Sequence, residues 1–180
     1  MELMARYEDN YFHLAIVDPP YGINVKTRVF NDGKKWDNEI PTKEYFDELF
    51  RISKNQIIWG ANYYLDTVLK SDLWRCEIAW SNLKSNSYIF KTRPPGKQGF
   101  YTIDCDRIHP TQKPVKLYEW LLMNYAKDGF SILDTHLGSG SIAIACHNLG
   151  FDLTACELDK DYYNSAIKRI QQHKAQQRLF

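Results

Sequence analysis

Apolar residues fall into short runs separated by polar stretches that carry glycine and proline, and the spacing inside each run predicts its form. Leu14–Val17 (LAIV) reads as a buried strand stopped by Pro19-Pro20, which cannot donate ladder hydrogen bonds. Residues 22–40 are polar and aperiodic and read as a loop. From Thr42 the pattern turns helical: Tyr45, Leu49 and Ile52 share one face, with Phe46 and Phe50 beside them. Gln56–Trp59 (QIIW) is a second buried strand, closed by Gly60. Glu77–Trp80 and Tyr88–Phe90 are further short strands, and 91–112, with Pro94-Pro95-Gly96, reads as loop. A helix is predicted from Pro114, with Leu117, Leu121 and Tyr125 on one face and Gly129 as its end.

The last third alternates regularly. Phe130–Asp134 is a strand, Ser139–Leu149 a helix stopped by Gly150, Asp152–Cys156 a strand, and Asp159 to about Gln172 a helix. Alternating strands and helices predict an α/β fold, a mainly parallel sheet covered on both faces. With 180 residues the chain is expected to form one domain.

Composition narrows the function classes. Lys and Arg total 23 and Asp and Glu 22, so bulk charge announces no nucleic-acid partner, and any such contact must come from local patches. No apolar run is long enough to span a bilayer, and the N-terminus lacks a secretory signal, so a cytoplasmic protein without membrane contact is expected. Cys76, Cys105, Cys146 and Cys156 form no C-x-x-C pair and the histidines form no ligand cluster, so thiols are expected reduced and no metal is expected.

Two constellations carry chemistry. Asp134-Thr135-His136-Leu137-Gly138-Ser139-Gly140 joins a strand to a helix, where glycines admit close backbone approach and the helix start offers unpaired N–H groups. Glu157 ends the next strand, where an acid can accept both hydroxyls of a ribose. The unit suits an adenosine-bearing cofactor; its Gly138-x-Gly140-x-x-Ala143 spacing leaves a dinucleotide open, although few residues follow Glu157. The second constellation, Asp18-Pro19-Pro20-Tyr21, follows the first strand directly. Its carboxylate can accept from an amino group, its proline fixes a carbonyl for a second N–H, and its tyrosine offers a ring to a planar base.

Asp18-Pro19-Pro20-Tyr21 first, His109-Pro110-Thr111-Gln112-Lys113-Pro114 between, and the glycine turn last is an order that resembles the permuted β-class DNA amino-methyltransferases. Ile57–Tyr63 is similar to a segment found in part of that family. The resemblance implies a Rossmann-like methyltransferase fold, with residues 1–90 as the catalytic half, 91–112 as a short recognition loop and 113–180 as the cofactor half. It implies methyl transfer from S-adenosylmethionine to the N6 amino group of a flipped-out adenine in double-stranded DNA. Asp18, Pro19, Pro20 and Tyr21 would then be catalytic. Asp18, Thr111, Lys113, Asp134, Gly138, Ser139, Gly140 and Glu157 would hold the cofactor. The loops carrying Lys26, Arg28, Lys34, Lys35, Lys91, Arg93 and Lys97, interleaved with aromatics, would meet phosphates and bases. A bacterial or phage origin, a homodimer and a restriction endonuclease partner belong to the same picture. Three alternatives stay open: a cytosine-N4 enzyme, a truncated or inactive relative that binds cofactor and nucleic acid, and a nicotinamide-dependent oxidoreductase. Thr135 and His136 stand where the family usually carries a proline and an aromatic residue.

Overall fold

The computed structural model describes residues 1–23, 37–60, 63, 79–83, 90 and 107–176. Its strands are β1 (Leu14–Val17), β2 (Gln56–Trp59), β3 (Ala79–Ser81), β4 (Ser131–Asp134) and β5 (Asp152–Ala155). Its α-helices are α1 (Lys43–Ile52), α2 (Val115–Tyr125), α3 (Ser141–Leu149) and α4 (Lys160–Ala175), with a 3-10 turn at Met4–Arg6. The strands form one sheet in the order β3-β2-β1-β4-β5. All neighbours are parallel except β3, which runs antiparallel to β2.

β1 lies at the centre and every residue of it is buried, which explains why LAIV shows no alternation. Ala15 and Val17 face a core made with Tyr45, Leu49 and Ile52 of α1 and with Met4 and Phe12. Leu14 and Ile16 face the opposite core, built on Leu117, Leu121 and Leu122 of α2, Ile142 and Ala145 of α3 and Ala166 of α4. The chain leaves β1 for β2 by way of α1 on one face, and leaves β4 for β5 by way of α3 on the other. The two connections diverge between β1 and β4, and in open parallel sheets ligands bind at that divergence, beyond the carboxyl ends of the strands.

Two helix ends differ from expectation. The α2 helix stops at Tyr125 rather than Gly129, because Ala126 turns to extended backbone while its N–H caps the Leu122 carbonyl. Gly129 instead serves a tight turn into β4, in which the Phe130 N–H bonds the Lys127 carbonyl at 3.0 Å. The α3 helix starts at Ser141 rather than Ser139, because Gly140 is left-handed at φ 74°. A Cβ on that glycine would also press against Ile170 Cδ1 at 3.0 Å. Of the Glu77–Trp80 strand only its end is described, as part of β3. Of the Tyr88–Phe90 strand, Tyr88 and Ile89 lie outside the described residues, and Phe90 packs against the core built on α2. No helix among the described residues is long and apolar enough to cross a membrane.

Candidate active site

A cavity of about 980 Å³ opens along the carboxyl ends of β1, β4 and β5. Asp18, one residue past β1, borders it, as do Gly138 and Ser139 in the turn after β4 and Glu157 beyond β5. Thr111 and Lys113 border it from the segment ahead of α2. Residues far apart in sequence are thus brought together because β1 and β4 are adjacent parallel strands that end at the same edge.

Each loop is held by its own polar contacts. Glu157 accepts the Gly138 N–H at 2.8 Å on one carboxylate oxygen and the Asp159 N–H at 3.0 Å on the other. Its rotamer is therefore fixed, while each oxygen keeps a lone pair for a further donor. Asp134 is fully buried beneath the turn and accepts the His136 N–H at 2.9 Å. Burial, with the Asp18 and Glu157 carboxylates adding to it, pushes Asp134 up to about 7. Asp134 and Gly140 shape the turn from behind, whereas Gly138 and Ser139 reach the cavity wall. His109 lies 3.8 Å from where a Gly138 Cβ would be, and its ring meets Tyr162 edge-on at 4.4 Å. Thr111 Oγ1 is 3.2 Å from His109 Nδ1, so the segment before α2 folds over the glycine turn as a lid fixed to α4.

Asp18 stands at the edge of the cavity with both oxygens engaged. Tyr21 donates its hydroxyl to Oδ1 at 2.5 Å, and Lys113 forms an ion pair with Oδ2. Lys113 is almost completely buried and its ammonium sits 5.1 Å from the centre of the Trp59 ring, so the ion pair is shielded from solvent and rests on an aromatic face. The structure thus sets Lys113 against the carboxylate of the Asp18–Tyr21 tetrapeptide. On the other side of Asp18, Tyr21 stacks on Tyr63 with ring centres 4.7 Å apart and planes at 12°. Pro20 borders the cavity and Tyr21 lies outside it. Asp18 therefore stands between the cavity and an aromatic pair.

Sequence reasoning missed several members of this site. Asp37 is buried and accepts the N–H groups of Tyr21 at 2.6 Å and Gly22 at 3.1 Å, which pins the chain after the tetrapeptide. Tyr45, read as a core residue of α1, also borders the cavity and bonds Thr135 at 2.7 Å. Leu158, next to Glu157, is wholly exposed for a leucine and borders the cavity. A leucine directly after Glu157 was readable in the sequence, but its exposure was not, and the Asp37 contact had no local signal. Cys156 and Cys146 are raised to about 11 and about 12 by burial, so both are thiols at neutral pH. Lys26, Arg28, Lys34, Lys35, Lys91, Arg93 and Lys97, together with Cys76 and Cys105, lie outside the described residues.

Fold and site together define an α/β protein with a nucleotide-type crevice at the divergence of its parallel strands, and an acid-proline-proline-tyrosine loop bordering it. Residues 60–168 match the DNA methylase family of N6/N4 methyltransferases. This span is more than half of the chain, and the chain belongs to that family. The Type II methyltransferase M.HpaI of Haemophilus parainfluenzae is 34% identical over 62 residues, covering 34% of this chain and 20% of the relative. The match thus spans about a fifth of that relative's length. Among solved structures, the M1.HpyAVI–SAM complex superposes with a TM-score of 0.57 at 18% identity, covering 93% of this chain and 92% of the other. The cytosine-N4-specific PvuII DNA methyltransferase gives a TM-score of 0.59 at 11% identity, covering 96% of this chain and 86% of the other. At these identities the superpositions establish the shared fold.

Proposed function

We propose that this chain moves a methyl group from S-adenosylmethionine to the N6 amino group of an adenine flipped out of double-stranded DNA. One observation supports the reading above the others: Asp18 and Gly138, 120 positions apart, border one cavity. In this reading residues 1–180 act as a single methyltransferase domain, with the catalytic half before position 91 and the cofactor half after position 112.

The residues present fit the cofactor. Glu157 is oriented by two backbone N–H groups and keeps lone pairs for the ribose hydroxyls. Leu158 offers an apolar face beside it for the adenine ring, and Gly138 leaves the cavity wall open to close approach. When bound, the cofactor supplies a methyl carbon already activated by a positive sulfur.

The chain's own residues then prepare the acceptor. An exocyclic amine is a poor nucleophile because its lone pair is delocalised into the base. The Asp18 carboxylate and the Pro19 carbonyl accept its two N–H groups, which favours a pyramidal nitrogen with a localised lone pair, an interaction stronger in the transition state than in the ground state. Lys113 holds the Asp18 carboxylate in place, so the acceptor is preorganised before the base arrives. Because Tyr21 occupies Oδ1, the amine takes over that position as the tyrosine hydroxyl withdraws, and the ring turns to stack on the base with Tyr63 alongside. Phosphate contact falls to Lys26, Arg28, Lys34, Lys35, Lys91, Arg93 and Lys97. A second copy of the chain and a restriction endonuclease are the protein partners this reading allows.

The test is incubation with labelled S-adenosylmethionine and DNA of mixed sequence, followed by digestion to nucleosides. N6-methyladenine is expected, and Asp18→Ala should lower its formation by about 100-fold or more while cofactor binding survives. N4-methylcytosine would move the substrate to the other base of the family. Cofactor binding without any methylated nucleoside would make the chain a binding module.

A further inference from the structure

Tyr45, Thr135 and His136 form a hydrogen-bonded row along the cavity that the transfer chemistry above leaves without a task. Tyr45 comes from α1, on the opposite side of the sheet from Lys113 and its lid segment. The Tyr45 hydroxyl is 2.7 Å from Thr135 Oγ1, and Thr135 Oγ1 is 3.0 Å from His136 Nδ1. All three residues border the cavity. The Tyr45 ring also meets the His136 ring edge-on at 5.5 Å, so the imidazole is held by packing as well as by the bond to Nδ1.

The direction of the row follows from which end is buried. Tyr45 is 8% exposed, and Thr135 Oγ1 is the partner of its hydroxyl. A buried phenol that donated to nothing would lose a hydrogen bond without recovering hydration. With Tyr45 donating to Thr135, the Thr135 proton goes to His136 Nδ1, the other partner of Oγ1. The ring nitrogen that accepts leaves the proton on the other one. His136 then carries its proton on Nε2, which makes no hydrogen bond to the described residues and, in a half-buried residue on the cavity wall, stays open to a ligand. Burial lowers His136 to about 4, so the imidazole is neutral at physiological pH and Nε2–H is a donor without net charge.

The cofactor's polar parts can be assigned by what remains. Its ribose hydroxyls fall to Glu157 and its methyl carbon to the Asp18 end. Its amino-acid end needs several donors for the carboxylate; Lys113 gives one of its three N–H groups to Asp18, and His136 presents a neutral N–H from a different wall of the same cavity. We propose that His136 Nε2–H, oriented by the Tyr45–Thr135 row, binds the α-carboxylate at the amino-acid end of the cofactor. The inference rests on the methyltransferase reading for the identity of the ligand, and it concerns binding rather than turnover.

Calorimetry on the full chain tests it with two nucleosides that share the adenosine and thioether parts. S-adenosylhomocysteine carries the amino-acid end, and 5′-methylthioadenosine lacks it. His136→Phe, which keeps an aromatic ring, should weaken S-adenosylhomocysteine by about tenfold or more, the size of a hydrogen bond to a charged group, and leave 5′-methylthioadenosine nearly unchanged. Retained 5′-methylthioadenosine binding also shows that the variant is folded. Tyr45→Phe should give a smaller loss of the same kind. Arg6→Ala is the control, since Arg6 stands at the rim of the same cavity. Equal weakening of both nucleosides by His136→Phe, no weakening of either, or loss of the amino-acid preference in Arg6→Ala in place of His136→Phe would each overturn the assignment. Binding of both nucleosides without DNA methylation would leave the assignment standing and remove the transferase reading; binding of neither by the unaltered chain would remove both.

Discussion

Gly60 closes β2 with φ 73°, and the space its missing side chain leaves is filled by Tyr21. A Cβ at that position would lie 2.1 Å from Tyr21 Cε1, well inside contact distance. The Tyr21 ring is seated there by its hydroxyl bond to Asp18 and its stack on Tyr63, and an alanine methyl would push it out of that seat. Gly60→Ala is therefore expected to cost roughly 1–3 kcal/mol for the left-handed backbone, read from urea unfolding. It should also displace Tyr21 and lower methyl transfer at temperatures where the variant is fully folded, with S-adenosylhomocysteine affinity preserved. Wild-type turnover in a folded Gly60→Ala chain would show that Tyr21 needs no such seat. Gly60 was legible as a stop signal after QIIW, but its role under Tyr21 was not, because nothing local links the two positions. The Lys113–Asp18 ion pair was hidden for the same reason: its members are 95 positions apart and meet only through the sheet. The residue types at both ends were readable, and their pairing was not.

At the scale of elements, helix starts carry the site. Asp159 caps α4 by accepting the N–H groups of Asp161 at 2.9 Å and Tyr162 at 3.0 Å, and its own N–H bonds Glu157. One residue thus ends the loop that positions Glu157 and begins the helix whose Tyr162 supports His109. Asp159→Ala should lower stability by about 1 kcal/mol, and Asp159→Ser should recover most of it, since serine caps nearly as well. Equal urea midpoints for all three chains would mean the cap is redundant. The start of α4 was readable because an aspartate before a helical run is a local signal. The start of α3 was misplaced because the sequence does not show that Gly140 is left-handed, which delays the first helical turn to Ser141. The end of α2 was misplaced because Gly129 looks like a helix stop and in fact serves the turn into β4. Strand cores were easier. Short runs such as LAIV and QIIW are fully buried in a mainly parallel sheet, and every α-helix among the described residues is longer.

Across the whole molecule, the strand order sets the buried Asp134 beneath the crevice and His136 on its wall, and the titrations of these two groups should be read in overall stability. Asp134 is raised to about 7 by burial, so between about pH 4 and 7 the folded chain holds a proton that the unfolded chain has released. Stability from this group falls as pH rises across that window. His136 is lowered to about 4 by burial, so between about pH 4 and 6.5 the unfolded chain holds a proton that the folded chain lacks. Stability from this group rises as pH rises. The two slopes oppose each other over most of their range, and each hides the other in the intact protein. Asp134→Asn keeps an acceptor for the His136 N–H and removes the falling contribution, so its urea midpoint should climb relative to the unaltered chain from about pH 4 to 7. His136→Phe removes the rising contribution, so its midpoint should drop relative to the unaltered chain from about pH 4 to 6.5. Surface carboxylates such as Glu48 titrate alike in all three chains, and the differences between profiles isolate Asp134 and His136. Parallel profiles for the three would mean that neither group changes its proton affinity on folding, and that the floor of the crevice is open to water.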